Sequence, residues 1–176
     1  NESWPGVYEK ANAKSKTGST GDHAAIPATA WGDCVWATAQ LNGGHRYYYD
    51  TASRSDDTLW NLVRGNSISY KTFNPMTAWT YSTGEAAERH LNYSSATIVA
   101  SHCYTVLGWA YHNNRKYIVL RNPWGNTEAT VAALNTNIWM YDVSWWRPIT
   151  LSVVDGTFAM EAWAFKYYFA GLGVAK

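Results

Sequence analysis

The chain has 176 residues, with 14 Lys and Arg against 13 Asp and Glu, a formal net charge of +1, and only 15% charged residues. So sparse and balanced a charge leaves no electrostatic footprint for nucleic acid or an anionic membrane surface, and no run of about 18 apolar residues marks a transmembrane span. The length fits one domain with a proper core, residues 1–176, and 11 Trp and 13 Tyr against 4 Phe point to a β-rich body with polar ring tips near its surface.

The elements follow in chain order. Trp4, Val7, Tyr8 and Ala11 stand at helical spacing and predict a helix over 4–14, with Ser3 as N-cap and Pro5 in the first turn. Residues 15–22 read as a loop. A second helix is expected over 33–41, capped by Asp33 and stopped by Asn42-Gly43-Gly44. Arg46 to Asp50 reads as irregular or short extended chain. Leu59, Trp60 and Val63 predict a third helix over 56–64, ended by Gly65-Asn66.

After that the period changes. Residues 67–72 read as extended, with a turn at Asn74-Pro75. Residues 97–100, 102–111 and 115–121 are strand-like, and His112-Asn113-Asn114 supplies the turn between the last two. Residues 149–153 and 157–160 flank Asp155-Gly156, a hairpin signal. Residues 161–169 return to helical spacing and end at Gly171. No internal repeat, low-complexity tract or interdomain linker is visible. Helices first and an antiparallel sheet second predict an α+β fold in one body.

Two residues carry the chemistry. His102 opens one alternating segment and Asn122 ends the next, so a hairpin would set an imidazole beside a carboxamide. An Asn that orients a His is two parts of a cysteine-protease site, because the carboxamide oxygen fixes the ring tautomer without adding a buried charge. Trp124 is positioned to cover that hydrogen bond. A half-buried histidine and a turn asparagine before Pro123 are the competing reading of the same two residues.

The order of residues around them separates the two readings. His102 in H-x-Y-T-V-L-G, then Arg121-Asn122-Pro123-Trp124-Gly125, resembles the C-terminal half of the calpain-type cysteine protease core. Asn1-Glu2-Ser3-Trp4-Pro5 and Glu9-Lys10-Ala11-Asn12-Ala13-Lys14 resemble that family's N-E-x-W and E-K-A-Y-A-K segments. Asp155-Gly156-Thr157-Phe158, with Phe165-Lys166-Tyr167-Tyr168-Phe169, resembles its D-G-x-F close. The resemblance therefore runs from the first residue nearly to the last.

It implies a papain-like fold, here the lobe that bears His and Asn: N-terminal helices packed on a twisted antiparallel sheet. It implies a thiol peptidase, a calpain-like endopeptidase acting on peptides or proteins, with His102 as general base and acid and Asn122 as its orienter.

The nucleophile is the departure. The family carries it in a Q-G-x-x-G-D-C-W segment before the E-K-A-Y-A-K helix, which would fall upstream of Asn1. The expectation is therefore a cysteine on a preceding segment or a second chain, and a start at Asn rather than Met fits a processed or excised piece. Gly32-Asp33-Cys34-Val35-Trp36-Ala37 is a look-alike at a helix start, where amide dipoles lower a thiol pKa. It follows the E-K-A helix, its Trp is displaced by one, and no Gln precedes it. Cys103, beside His102 on a strand, points to the opposite face and reads as a packed thiol.

The alternatives are a papain-like hydrolase using Cys34, or an inactive domain that binds through aromatic faces such as Tyr47-Tyr48-Tyr49 and Trp145-Trp146. The family also binds Ca²⁺ near these motifs. Glu128 and Asp155 stand at comparable places, but Thr157 replaces an acid, so no metal or cofactor is assigned. His23, His45, His90 and His112 lack metal-like spacing. Two cysteines are no disulfide framework. The Asn/Ser/Thr/Trp/Tyr-rich, Lys-poor composition leans toward a secreted protein, with the compartment open.

Overall fold

The computed structural model describes residues 4–21, 23, 25–141, 146–151 and 153–176. They fall into two compact units, Asn1–Asp33 and Cys34–Lys176.

In the first unit, helix α1 (Trp4–Thr17) runs one turn beyond the predicted end and stops before Gly18, whose φ of +67° no side-chain-bearing residue adopts cheaply. Lys14 and Lys16 lie in its last turn, where cations complement the helix dipole. A 3₁₀ turn at Ile26–Thr29 packs beside it. Ser3, the predicted cap, lies outside the described residues.

The second unit is built on one antiparallel sheet. Its strands are β1 (Arg46–Asp50), β2 (Ser67–Ile68), β3 (Lys71–Thr80), β4 (Cys103–His112), β5 (Arg115–Arg121), β8 (Thr157–Glu161) and β9 (Phe169–Ala175). The order across it is β1-β9-β3-β4-β5-β8, with β2 paired to β3. A separate ribbon pairs β6 (Asn137–Tyr141) with β7 (Trp146–Thr150). The helices are α2 (Cys34–Asn42), α3 (Asp56–Gly65), α4 (Thr83–Glu88), α5 (Tyr93–Ala96) and α6 (Ala162–Tyr168).

The α+β class stands, but the simple order of helices then sheet does not: β1 precedes α3, and the chain closes with β9 inserted between β1 and β3. The helical pattern at the C-terminus ends at Tyr168. The small-residue run that follows, which reads as a stop, is a central strand because large side chains fill the space over its glycines. Atoms of Trp79 lie 2.1 Å from where a Cβ on Gly171 would stand, and Val35 lies 2.2 Å from that of Gly173.

Both faces of the sheet are covered. Leu59, Trp60 and Val63 of α3 and Phe165 of α6 pack with Met76, Ala78, Tyr104, Val106, Ile118, Leu120, Phe158, Leu172 and Val174. On the other face α2 lies against β1, β3 and β9, with Val35 over Gly173. Ile138, Met140 and Leu151 join Ala110, Tyr117, Val119 and Ala159 in a second cluster. A bulge between Val106 and Gly108 shifts β4 by one residue. It turns Tyr104 and Val106 into the first cluster but Ala110 into the second, since a one-residue slip exchanges faces.

Three local expectations are corrected. Residues 97–100 form no strand: Thr97, at φ +56°, terminates α5, and the Val99 amide donates to the Tyr104 hydroxyl. Asn74-Pro75 lies inside β3, where the register shifts and the missing proline N–H costs no ladder bond. Asp155-Gly156 joins no hairpin, because β7 pairs with β6 while β8 pairs with β5. Of the two readings of Arg46–Asp50 the extended one holds, as an edge strand on β9. The turn at Asn113-Asn114 is as expected, both residues at positive φ between β4 and β5. Among the described residues no helix is long and apolar enough to cross a membrane.

Candidate active site

The site lies where β4 begins and β5 ends. The ladder pairs Thr105 with Arg121. Continuing that register outward brings Tyr104 opposite Asn122 and His102 opposite Trp124, all on one face. The contacts agree: the His102 ring packs 4.8 Å from Trp124 and 5.0 Å from Tyr104, edge-on to the latter.

His102 Nε2 lies 2.9 Å from Asn122 Oδ1. The carboxamide is not at liberty to turn over. Its Nδ2 donates to the Thr127 carbonyl at 3.1 Å, and its Oδ1 also accepts from the Trp124 amide at 3.1 Å. A flipped amide would set donor against donor and acceptor against acceptor. Oδ1 can only accept, so Nε2 carries the ring proton and Nδ1 presents its lone pair outward. That is the tautomer a general base needs.

Asn122 is fully buried; its backbone N–H donates to Gly156 O at 2.8 Å and its own carbonyl accepts from Gly125. His102 is half-buried. Buried Thr80 holds its backbone, accepting from His102 N at 3.0 Å while donating to Val99 O at 2.7 Å. The Trp124 ring packs against the imidazole, tilted 51° to it, while remaining 58% exposed. Tyr104, beneath the imidazole, has its phenol pKa pushed up by burial and stays neutral under the ring.

Neither cysteine stands on this face. Cys103 pairs with Trp79, next to the pair formed by Tyr104 and Ala78, so its side chain takes the opposite face. Cys34 starts α2, whose Val35 packs over Gly173 on that same opposite face. The sheet stands between this helix and the His102 ring.

The carboxylates expected near the motif are committed elsewhere. Glu128 Oε1 accepts from the amides of Asp155 at 2.8 Å and Gly156 at 2.9 Å, and Asp155 Oδ1 accepts from Thr157 N at 2.8 Å. Amide hydrogens aimed at a carboxylate oxygen occupy the side from which a cation would approach. Among the described residues no group of three or more His, Cys, Asp and Glu is arranged to hold a metal. Calcium needs several converging oxygens, and here Glu128 Oε1 and Asp155 Oδ1 already accept backbone amides.

The aromatic run Tyr47-Tyr48-Tyr49 lies on edge strand β1, with Tyr48 edge-on to Trp79 and Lys176 over Tyr47. Trp145 lies outside the described residues. Two supports were missed in the sequence. Thr80 carried no local signal, since its partners are 19 and 22 residues away. Gly156 was visible only as a turn glycine; its φ of +86° and the 2.7 Å between a Cβ there and Asn122 O make it part of the asparagine's seat.

The model of the calpain family of cysteine proteases matches residues 1–176. A thiol protease of Porphyromonas gingivalis is 30% identical over 165 residues, which is 91% of this chain and 33% of that protein. The chain thus spans about a third of the curated relative it matches.

Proposed function

Since the chain belongs to the calpain family of cysteine proteases, we propose that it supplies the histidine and asparagine of a thiol endopeptidase, facing a cysteine from outside residues 1–176. The observation that carries this reading is the His102 Nε2 to Asn122 Oδ1 bond at 2.9 Å, with the carboxamide held by two further backbone partners. The family match runs through both compact units.

The chemistry follows from the tautomer. His102 Nδ1 takes the thiol proton, and the thiolate adds to the peptide carbonyl carbon. As the carbon–nitrogen bond breaks, Nδ1–H returns the proton to the leaving amine. Water then attacks the thioester, giving its proton to Nδ1, and the thiolate departs. Asn122 keeps Nε2–H engaged throughout and stabilises the imidazolium.

The placement of the nucleophile is supported by the two faces of the sheet, with Cys34 and Cys103 assigned to the one away from the His102 ring. An epoxide thiol-protease inhibitor applied to the full-length protein tests it, with the modified residue read by peptide mass spectrometry. The expected label is on a cysteine outside 1–176, with peptidase activity lost. A label on Cys34 overturns the placement, and neither label nor peptidase activity overturns the enzyme reading.

A further inference from the structure

The segment after Asn122 folds back on its own side chain. Asn122 Nδ2 holds the Thr127 carbonyl at 3.1 Å, which brings the next residue, Glu128, beside the loop that leads into β8. There one carboxylate oxygen accepts two consecutive amides, Asp155 N at 2.8 Å and Gly156 N at 2.9 Å. Gly156 in turn accepts from Asn122 N at 2.8 Å and leaves no room for a Cβ beside Asn122 O. The path from Glu128 to the imidazole is therefore short: carboxylate, Gly156 peptide, Asn122, His102 Nε2.

We infer that Glu128 is a positioning residue, its carboxylate clamping the Asp155-Gly156 turn so that the turn seats Asn122 against His102. Two amides on one anionic oxygen are charge-assisted hydrogen bonds, stronger than neutral ones. They join two segments 27 and 28 residues apart in sequence, several residues away from the isolated bridge of Ala133 with Met160 that also links them. The same residue that the resemblance offers as a metal ligand acts through backbone amides.

The inference rests on the proposed thiol-peptidase reading only for its kinetic consequence; the clamp itself is read without activity. In the full-length protein, Glu128→Ala should raise hydrogen exchange at the Asp155, Gly156 and Asn122 amides by about tenfold or more, while the β3–β9 ladder keeps its protection. Glu128→Gln retains an oxygen able to accept both amides and should recover part of that protection. The imidazole ¹⁵N resonances of His102 should shift in the alanine variant toward an unengaged ring. kcat should fall about tenfold with KM within about twofold, the pattern of an interaction that matters in the transition state.

Unchanged exchange at the three amides in Glu128→Ala overturns the clamp. A uniform rise across the sheet, with Gln no better than Ala, reduces Glu128 to general stability and also overturns it. A local rise with unchanged kcat, in an enzyme that His102→Ala inactivates, overturns the positioning role. If His102→Ala leaves peptidase activity intact, the functional reading falls, and the exchange and ¹⁵N data still decide the clamp.

Discussion

A histidine becomes a base only when something decides which nitrogen keeps the proton, and in the proposed mechanism that decision falls to the backbone around Asn122. The Thr127 carbonyl and the Trp124 amide fix the carboxamide, the carboxamide oxygen fixes Nε2–H, and Nδ1 is left as the proton acceptor. His102→Ala should lower kcat/KM by roughly a hundredfold to ten-thousandfold, the usual worth of a positioned general base. Asn122→Ala loses a hydrogen bond to a developing imidazolium, about 1.5–3 kcal/mol, and so should cost roughly tenfold to a hundredfold. Steady-state kinetics on the full-length protein, with near-ultraviolet circular dichroism to show the fold retained, checks both. Equal losses for the two variants would argue against an orienting role for Asn122. The pair itself was legible in the sequence, because an H-x-Y-T-V frame and an N-P-W-G frame each mark a strand end. Thr80, Gly156 and the clamp by Glu128 were not, since each acts across a gap that local pattern does not span.

At the scale of elements, alternation was read correctly for β4 and β5, and the turn at Asn113-Asn114 followed from residues that tolerate positive φ. The bulge in β4 was not legible, because a bulge leaves the residue pattern nearly unchanged while exchanging the faces beyond it. Gly108 shows what the bulge requires. A Cβ there would lie 1.9 Å from the Tyr70 carbonyl oxygen and 2.4 Å from Met140 Cε. Backbone cannot retreat as a side-chain tip can, so Gly108→Ala should destabilise by at least ~2 kcal/mol, read as a lowered urea midpoint with unchanged m-value. Retention of the wild-type midpoint would refute this account of the β2–β3 turn lying on β4. Helix α4 was missed although Ser82 and Glu85 form a reciprocal capping box, a signal the sequence did carry.

For the whole molecule, the shared core between the sheet and helices α3 and α6 ties stability to two buried phenols. Burial pushes the pKa of Tyr93 and Tyr104 up from an ordinary value of 10.0. The unfolded chain therefore releases these protons first as pH rises. Their contribution is complete below pH 10.0 and is lost above it, toward the raised folded values. The urea midpoint should fall between about pH 9 and 11, and the tyrosinate absorbance of these two residues should appear only with unfolding. Full ionisation of all tyrosines in folded protein would contradict it.

The sequence by itself determined the family, the α+β class, the hairpin that sets His102 beside Asn122, and the conflict over where the nucleophile lies. These are carried by residues close together along the chain, where turn chemistry and alternation act directly. Only the tertiary structure decided that the closing glycine-rich run is a central strand. It likewise decided that Cys34 belongs to the face away from the imidazole, and that Glu128 spends its carboxylate on the turn beneath Asn122. Those outcomes depend on what large side chains and distant amides fill from across the fold, and spacing along one chain does not record it.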